Sequence, residues 1–333
     1  MKTKTLFITC NRVKDTYGIT SGLYNSALFV SDFLNTQDFE SRLVAVQDAN
    51  SIDRVVTAAD ADVVIIEALW VSPAKFVELL AIPRHARRRW IVRIHSKAPF
   101  LANEGLAFRW MTEYTEIGGI EIAPNTRELT RQLRWALPGG KWIYLPNVYR
   151  FRAHETHTDP RPNNTINIGC FGAIRPMKNT FHQALAAIEF CESRGKRLRF
   201  HVNSSRIEQS GDNVVRNLRA LFEANSHELV EHRWYHHADF LKAITEMDFG
   251  VQVSFSESFN IVTADFVAAG VPIVASDDIT WMPWLLRCKP TSQREILRGM
   301  AFAYRLPRIA TWLQRAHLKI YNYVAKLTWL MRL

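Results

Sequence analysis

Two acids and two cations stand at spacings that could hold a charged ligand. The stretch "SFSESFNIVTADFVAAGVPIVAS", residues 254–276, sets Glu257 in a polar loop and Asp265 eight positions later. "DFGVQVS" before it alternates and is β-branched, as a buried strand does. "TADFVAAG" has the spacing of a short helix stopped at Gly270, and "VPIVAS" reads as a second buried strand. Glu257 therefore falls on a strand-to-helix loop and Asp265 in the first turns of the helix, at the edge where open α/β sheets bind ligands. A loop that only caps the helix, with an acid favoured near its N-terminus, accounts for this stretch equally well. A second turn tips the balance. "GCFGAIRPMKNT", 169–180, joins a strand to a helix; Gly172 lets backbone approach a ligand, and Asn179 or Thr180 can cap the helix. Arg175 and Lys178 add cations beside free amides and a positive dipole end, a seat for a diphosphate. Cations for a diphosphate and carboxylates for sugar hydroxyls are together what a nucleotide sugar needs.

The elements that must position these groups alternate along the whole chain. In residues 1–150 strand-like segments "TLFITC", "SRLVAV", "DVVIIEA", "RWIVRIH", "GIEIAP" and "KWIYLPN" are separated by helical patterns such as "GLYNSALFVSDFLN" and "NTRELTRQLRWAL". That rhythm predicts a parallel sheet with helices on both faces. Residues 151–165, polar and rich in Pro and charge, read as a linker. The rhythm restarts in 166–285 with "TINIGCFGA", "NTFHQALAAIEFCESRG", "RLRFHVNSS" and "HELVEHRW", and 286–333 read as basic, aromatic C-terminal helices. The fold class expected is α/β, with two doubly wound Rossmann-like domains facing a cleft. No run reaches the roughly 20 apolar residues of a membrane span. Four dispersed cysteines without metal-ligand spacing fit a reducing, cytoplasmic setting, with peripheral membrane attachment left open.

Several of these motifs occur in the order found in nucleotide-sugar glycosyltransferases. From about residue 120 to 280 the chain resembles GT-B fold enzymes of the retaining glycosyltransferase family four: a Gly-turn with Lys-Asn, an acid-(x)7-acid motif, then Gly-x-Pro and an apolar strand. "LPNVYRF", 145–151, is similar to the segment that leads into the family's second domain. The resemblance implies a sugar transferred with retention from a nucleotide sugar, a UDP-sugar above all, with no cofactor. It places Gly172, Arg175, Lys178, Asn179 and the loop Glu257, Ser258, Phe259, Asn260 with Asp265 around the donor. Lys178 would hold the diphosphate, Glu257 face the sugar and Asp265 the ribose. His95, at the end of "RWIVRIH", stands where the family often has a histidine against the transferred sugar, so Glu257, His95 and Lys178 form the expected catalytic set. "DTYGITSGLYN" resembles the family's first loop, with Gly18 and Gly22 near the ligands. Arg175 follows Gly172 by three residues rather than one, Asp265 replaces a second Glu, and Asn260 stands where Gly is common. No metal-binding Asp-x-Asp loop is evident: "DAD" at 60–62 reads as a strand start, so no metal is expected.

Charge bears on the acceptor. Residues 287–333 hold ten Lys and Arg against one acid, Glu295, which accounts for most of the net +10. A second knot, "RHARRRWIVR", covers 84–93 in the acceptor-side domain. Such asymmetry predicts a polyanionic partner. Arg87, Arg88 and Arg89 suit a phosphate backbone, which narrowly favours a nucleic-acid acceptor such as a modified DNA base. A cell-envelope glycan or lipid-linked acceptor at an anionic membrane surface is the close alternative, with the aromatic tail on lipid. The knot's plainer reading is a strand cap whose arginines pair with nearby acids. A catalytically dead GT-B module that only binds is the third reading, and no stable protein partner is evident.

Overall fold

In the computed structural model, residues 2–10, 22–151 and 164–333 are described. Gly18 and nearly all of the expected linker lie outside them. Two six-stranded sheets form from the apolar runs, and every strand pair is parallel. The first contains Thr3–Cys10, Phe39–Val46, Val63–Glu67, Arg89–Ile94, Ile120–Pro124 and Lys141–Trp142 (β1 to β6), in the order β2-β1-β3-β4-β5-β6. The second contains Thr165–Cys170, Arg197–Asn203, Glu228–His232, Phe249–Gln252, Ile273–Ser276 and Arg287–Cys288 (β7 to β12), in the order β12-β11-β10-β7-β8-β9. Counted from β7, the second order is that of a dinucleotide-type doubly wound sheet. Helices cover both faces of such sheets, which is why strands like "VVIIE" are buried at every position.

The chain divides into two compact units, Met1–Arg150 with Asn322–Leu333, and Phe151–Tyr321. The basic tail is therefore part of both units. Helix Gln293–Arg305 packs on the second sheet, and the long helix Pro307–Arg332 serves the second unit up to Tyr321 and the first from Asn322 on. Within the first unit, Asn322 pairs with the backbone of Tyr149 in both directions at 2.8 Å, and Trp329 Nε1 donates to Pro146 O at 2.8 Å. No disulfide joins the cysteines, and burial pushes the Cys170, Cys191 and Cys288 thiols up to about 12. Among the described residues no helix is long and apolar enough to cross a membrane.

One packing detail sets the depth of the helix that carries Asp265. Gly169 of β7 and Gly250 of β10 are register partners, and Phe266 of helix Ile261–Ala269 lies against both. A Cβ on Gly250 would come within 2.7 Å of the Phe266 ring, and one on Gly169 within 2.9 Å. Only glycines let this helix settle so close to the sheet. Gly250→Ala should therefore overpack the core and lower stability by about 1–3 kcal/mol, read from the midpoint of urea unfolding.

Candidate functional site

In the second unit the predicted donor residues gather at the carboxyl ends of β7 and β10, the neighbours at which the strand order reverses. Gly172 follows β7 with φ +117°, a value that favours glycine, and its N–H donates to Asn203 Oδ1 at 3.0 Å. A Cβ there would meet nothing within 4 Å, so this stretch of backbone is open to close approach. The turn is fixed from below by a bridge between Ile174 and Ile207: Ile174 N–H donates to Arg206 O and Glu208 N–H to Ile174 O, both at 2.9 Å. Lys178 and Glu257 come together as a mostly buried ion pair across this edge. Phe255 N–H donates to Met177 O at 2.9 Å, and Glu257 N–H to Asp278 Oδ2 at 3.1 Å, so the two loops are stitched to each other and to the end of β11. Asp265 is buried, and His237 Nε2 donates to its Oδ1 at 2.8 Å. Ser258 sits half-buried beside Glu257.

Four predicted donor contacts have other engagements. Arg175 turns its guanidinium to Glu208 at 3.2 Å. Asn179 does occupy the N-cap position of helix Thr180–Glu192, but with φ +56° its side chain makes no cap bond. Its amide instead donates to Val253 O at 3.1 Å and Pro290 O at 2.9 Å, tying the turn to the β10 loop. The Phe259 ring is a core group, stacked on Tyr321 at 5.3 Å and tilted against Trp281 at 5.7 Å. Asn260 caps helix Ile261–Ala269 by accepting from Thr263 N–H at 2.9 Å and donates to Gln252 Oε1 at 3.0 Å. Its φ of +54° explains the departure from glycine, because Asn tolerates the left-handed region and adds a cap.

In the first unit His95 follows β4 and heads a buried polar network. Its Nε2 is bonded to Glu67 at the end of β3, and Glu67 is paired with Arg93 at 3.0 Å; Glu67 and Arg93 are fully buried. All three Arg93 nitrogens donate: Nε to Leu145 O at 3.3 Å, Nη1 to Glu67, and Nη2 to Pro146 O and Asn147 Oδ1 at 3.0 Å. Trp329 covers the guanidinium at 5.1 Å. Burial pushes the Glu67 carboxyl up, but Arg93 and His95 outweigh it and hold the acid below its ordinary range. Burial also lowers His95, with Glu67 offsetting only part of it, so the imidazole is neutral at pH 7 and its Nε2–H donates to the carboxylate. Gly22 opens helix Gly22–Leu34.

The arginine knot lies elsewhere. Arg89 is the first residue of β4 and His95 follows its last, so the two are about 20 Å apart along the strand. Arg89 binds Glu121 bidentately at 2.7 and 2.8 Å, and Arg88 donates to Ala61 O and pairs with Asp60 at 3.3 Å. Arg87 is exposed at the end of a short helix. Of the three arginines expected to meet the acceptor, Arg88 and Arg89 pair with acids at the amino edge of the sheet, opposite the His95 edge, and Arg87 is exposed there. Sequence reading missed Glu67, Arg93, Asn147, His237 and Asp278. A charged residue inside an otherwise apolar parallel strand was the one available signal, because such a charge must be paired.

No family model and no curated protein sequence matches the chain. Solved structures do. Sucrose-phosphate synthase from Thermosynechococcus elongatus is 11% identical with a TM-score of 0.72, covering 98% of this chain and 97% of its own. An α-glucosyltransferase solved with UDP-glucose and DNA containing an abasic site is 12% identical with a TM-score of 0.68, covering 96% and 95%. The UDP-forming trehalose-phosphate synthase from Burkholderia xenovorans is 12% identical with a TM-score of 0.64, covering 99% and 98%. The chain has the GT-B fold, with two Rossmann-like parallel-sheet domains.

Among the described residues no group of three or more His, Cys, Asp or Glu is placed to hold a metal ion. The Glu67–Arg93 pair gives the site's clearest stability test. Glu67→Gln leaves a buried guanidinium without its counter-charge and should cost about 3–5 kcal/mol in urea unfolding. Stability close to wild type would show that Arg93 is neutralised from another direction.

Proposed function

We propose that the chain transfers a sugar from a nucleotide sugar, a UDP-sugar in the first instance, to an acceptor hydroxyl with retention at the anomeric carbon. The observation that carries this reading is the Lys178–Glu257 pair beside the open Gly172 backbone at the reversal point of the second sheet. An arriving diphosphate competes with Glu257 for the Lys178 ammonium and takes the amides at the start of helix Thr180–Glu192. That exchange frees the Glu257 carboxylate for sugar hydroxyls. Asp265, held by His237, is the acid available to a ribose. In the reaction the bond from the anomeric carbon to the diphosphate oxygen breaks, and the acceptor oxygen bonds to that carbon on the face the diphosphate leaves. The acceptor's proton passes to the departing phosphate oxygen. Charge grows on that phosphate, where a preorganised cation and amides act most strongly. His95, kept neutral by burial, is the group the first unit offers to the transferred sugar.

A DNA-base acceptor drew its support from Arg87, Arg88 and Arg89, and two of those pair with acids of the chain itself, Asp60 and Glu121. The α-glucosyltransferase solved with DNA shares the fold at 12% identity and lends the idea no residue. The binding-only module is disfavoured by the Lys178–Glu257 geometry, and UDP-sugar hydrolysis without any acceptor separates it from an enzyme.

Lys178→Ala should lower kcat/KM for donor hydrolysis by roughly 30- to 1000-fold, about 2–4 kcal/mol in the transition state, with an unchanged circular dichroism spectrum. Turnover near wild type would remove Lys178 from the diphosphate. Asp265→Asn should act mainly on the donor KM, because a ribose contact is made equally in ground and transition states. Chelator should leave hydrolysis unchanged, since Lys178 and the helix amides neutralise the leaving group; rescue of chelated enzyme by magnesium or manganese would overturn this. Proton NMR of the fresh transfer product reads the anomeric outcome directly.

A further inference from the structure

Helix Arg127–Ala136 carries an unusual outer face. Arg127, Arg131, Arg134 and Trp135 recur at i, i+4, i+7 and i+8, which places them on one side, while Leu129 and Leu133 are buried on the other. Trp135 is 82% exposed. The last turns of helix Pro307–Arg332 repeat the pattern with Tyr323, Leu327, Leu330 and Met331, of which Met331 is 75% exposed. Met331 joins Arg332 at a cavity of about 810 Å³, lined also by Arg127, Arg131, Arg134, Trp135 and Tyr144, with no carboxylate in its lining. The Arg127 guanidinium lies over the Tyr144 ring at 4.9 Å, and Arg134 donates to Trp142 O at 2.9 Å, so two of the cations are held in place.

Large apolar side chains left in water beside a cationic hollow are the informative kind of exposure. The chemistry of the two halves differs. Four guanidiniums suit phosphate. Met331 is flexible and aliphatic, offers nothing to stack on a base and suits acyl chains, and Trp135 suits the level of the headgroups. A hollow of this volume takes a compact headgroup. We infer that this face of the first unit docks on an anionic phospholipid surface, with a lipid phosphate in the arginine-lined cavity and Trp135 and Met331 at the acyl boundary.

The face also relates to the site already described. Its Arg127 end begins at the carboxyl edge of the sheet, where neighbouring Glu128 pairs at 3.0 Å with Lys97, two residues beyond His95. Its Arg332 end reaches the amino edge, where Arg89 donates to Arg332 O at 2.6 Å. A bilayer held there presents lipid-borne hydroxyls to the unit that carries His95. The docking itself does not depend on the transfer reading, because its readout is partition and not turnover.

The test is co-sedimentation of the full chain with phosphatidylcholine vesicles and with vesicles containing equal parts of phosphatidylglycerol, in a salt series. Wild type should bind the anionic vesicles more tightly, and salt should weaken that binding. The double change Arg131→Gln and Arg332→Gln should cut anionic partition about thirty-fold, at roughly fivefold per cation near the surface. The double change Trp135→Ser and Met331→Ser should lose binding that survives at high salt. Circular dichroism and urea unfolding of both variants check that the fold is kept. No binding by wild type at low salt, or equal binding by all three proteins, overturns the proposal. Tight binding of duplex or single-stranded DNA that the arginine changes abolish, without vesicle binding, assigns the face to nucleic acid instead.

Discussion

A guanidinium shut away from water has to be neutralised and fully bonded, and much of the first unit is arranged around that demand. Arg93 draws Glu67 to the end of β3, the carbonyls of Leu145 and Pro146 to the end of the sheet, and the Asn147 amide to its side. Asn147 in turn donates to Ser26 at 2.7 Å and accepts from Asn125 at 3.0 Å, which links helix Gly22–Leu34 and the end of β5 to the same centre. Trp329 closes it over and bonds Pro146. The pairing by itself adds little net stability, because desolvation consumes most of the Coulombic gain. What it adds is geometry. One carboxylate shared between Arg93 and His95 fixes the ring orientation and tautomer of the histidine.

The second unit solves the corresponding problem with backbone. Register-paired glycines under Phe266 bring the Asp265 helix down onto β7 and β10, and left-handed Asn179 and Asn260 turn the chain sharply at both helix starts. Their side chains tie these turns to neighbouring segments. Lys178 and Glu257 are left as the charged pair at the edge. An ion pair there keeps both groups ordered and satisfied before a ligand arrives, and a dianionic diphosphate is a stronger partner for the ammonium than one carboxylate. Asn179, Phe259 and Asn260 thus shape the loops that carry this pair.

Strands were legible in the sequence because parallel sheets bury both faces and leave unbroken apolar runs, and the loops after β7 and β10 followed from them. Gly195 and Gly270, with φ of +61° and +80°, stop their helices where the sequence expects. Partners far apart in sequence were not legible. Nothing near "RHARRRW" announces that Arg89 will meet Glu121, and nothing in "HHADF" announces that His237 will meet Asp265, because each contact depends on strand order. Asn260 was legible as a departure from glycine but not as a compensated one, since φ cannot be read from a residue name. The tail's packing was not legible for a different reason: its cations and aromatics are spread around one long helix whose buried stripe, Ala310, Gln314, Leu318, Asn322, Ala325 and Trp329, belongs to both units.

That division of the last helix reassigns the chain's positive charge. In "RHARRRW" Arg88 and Arg89 are engaged within the first unit, on Asp60, the Ala61 carbonyl and Glu121. The cations on helix Arg127–Ala136, at i, i+4 and i+7, drew no attention as a cluster because helix period hides them among Glu128, Leu129 and Gln132. Yet they face a hollow without a carboxylate, next to exposed Trp135 and Met331, where charge is not cancelled and apolar area is not covered. Net charge alone could point only to an anionic partner. It is the residual charge, after internal pairing is subtracted, together with the aliphatic side chains beside it, that separates a lipid surface from a nucleic-acid backbone.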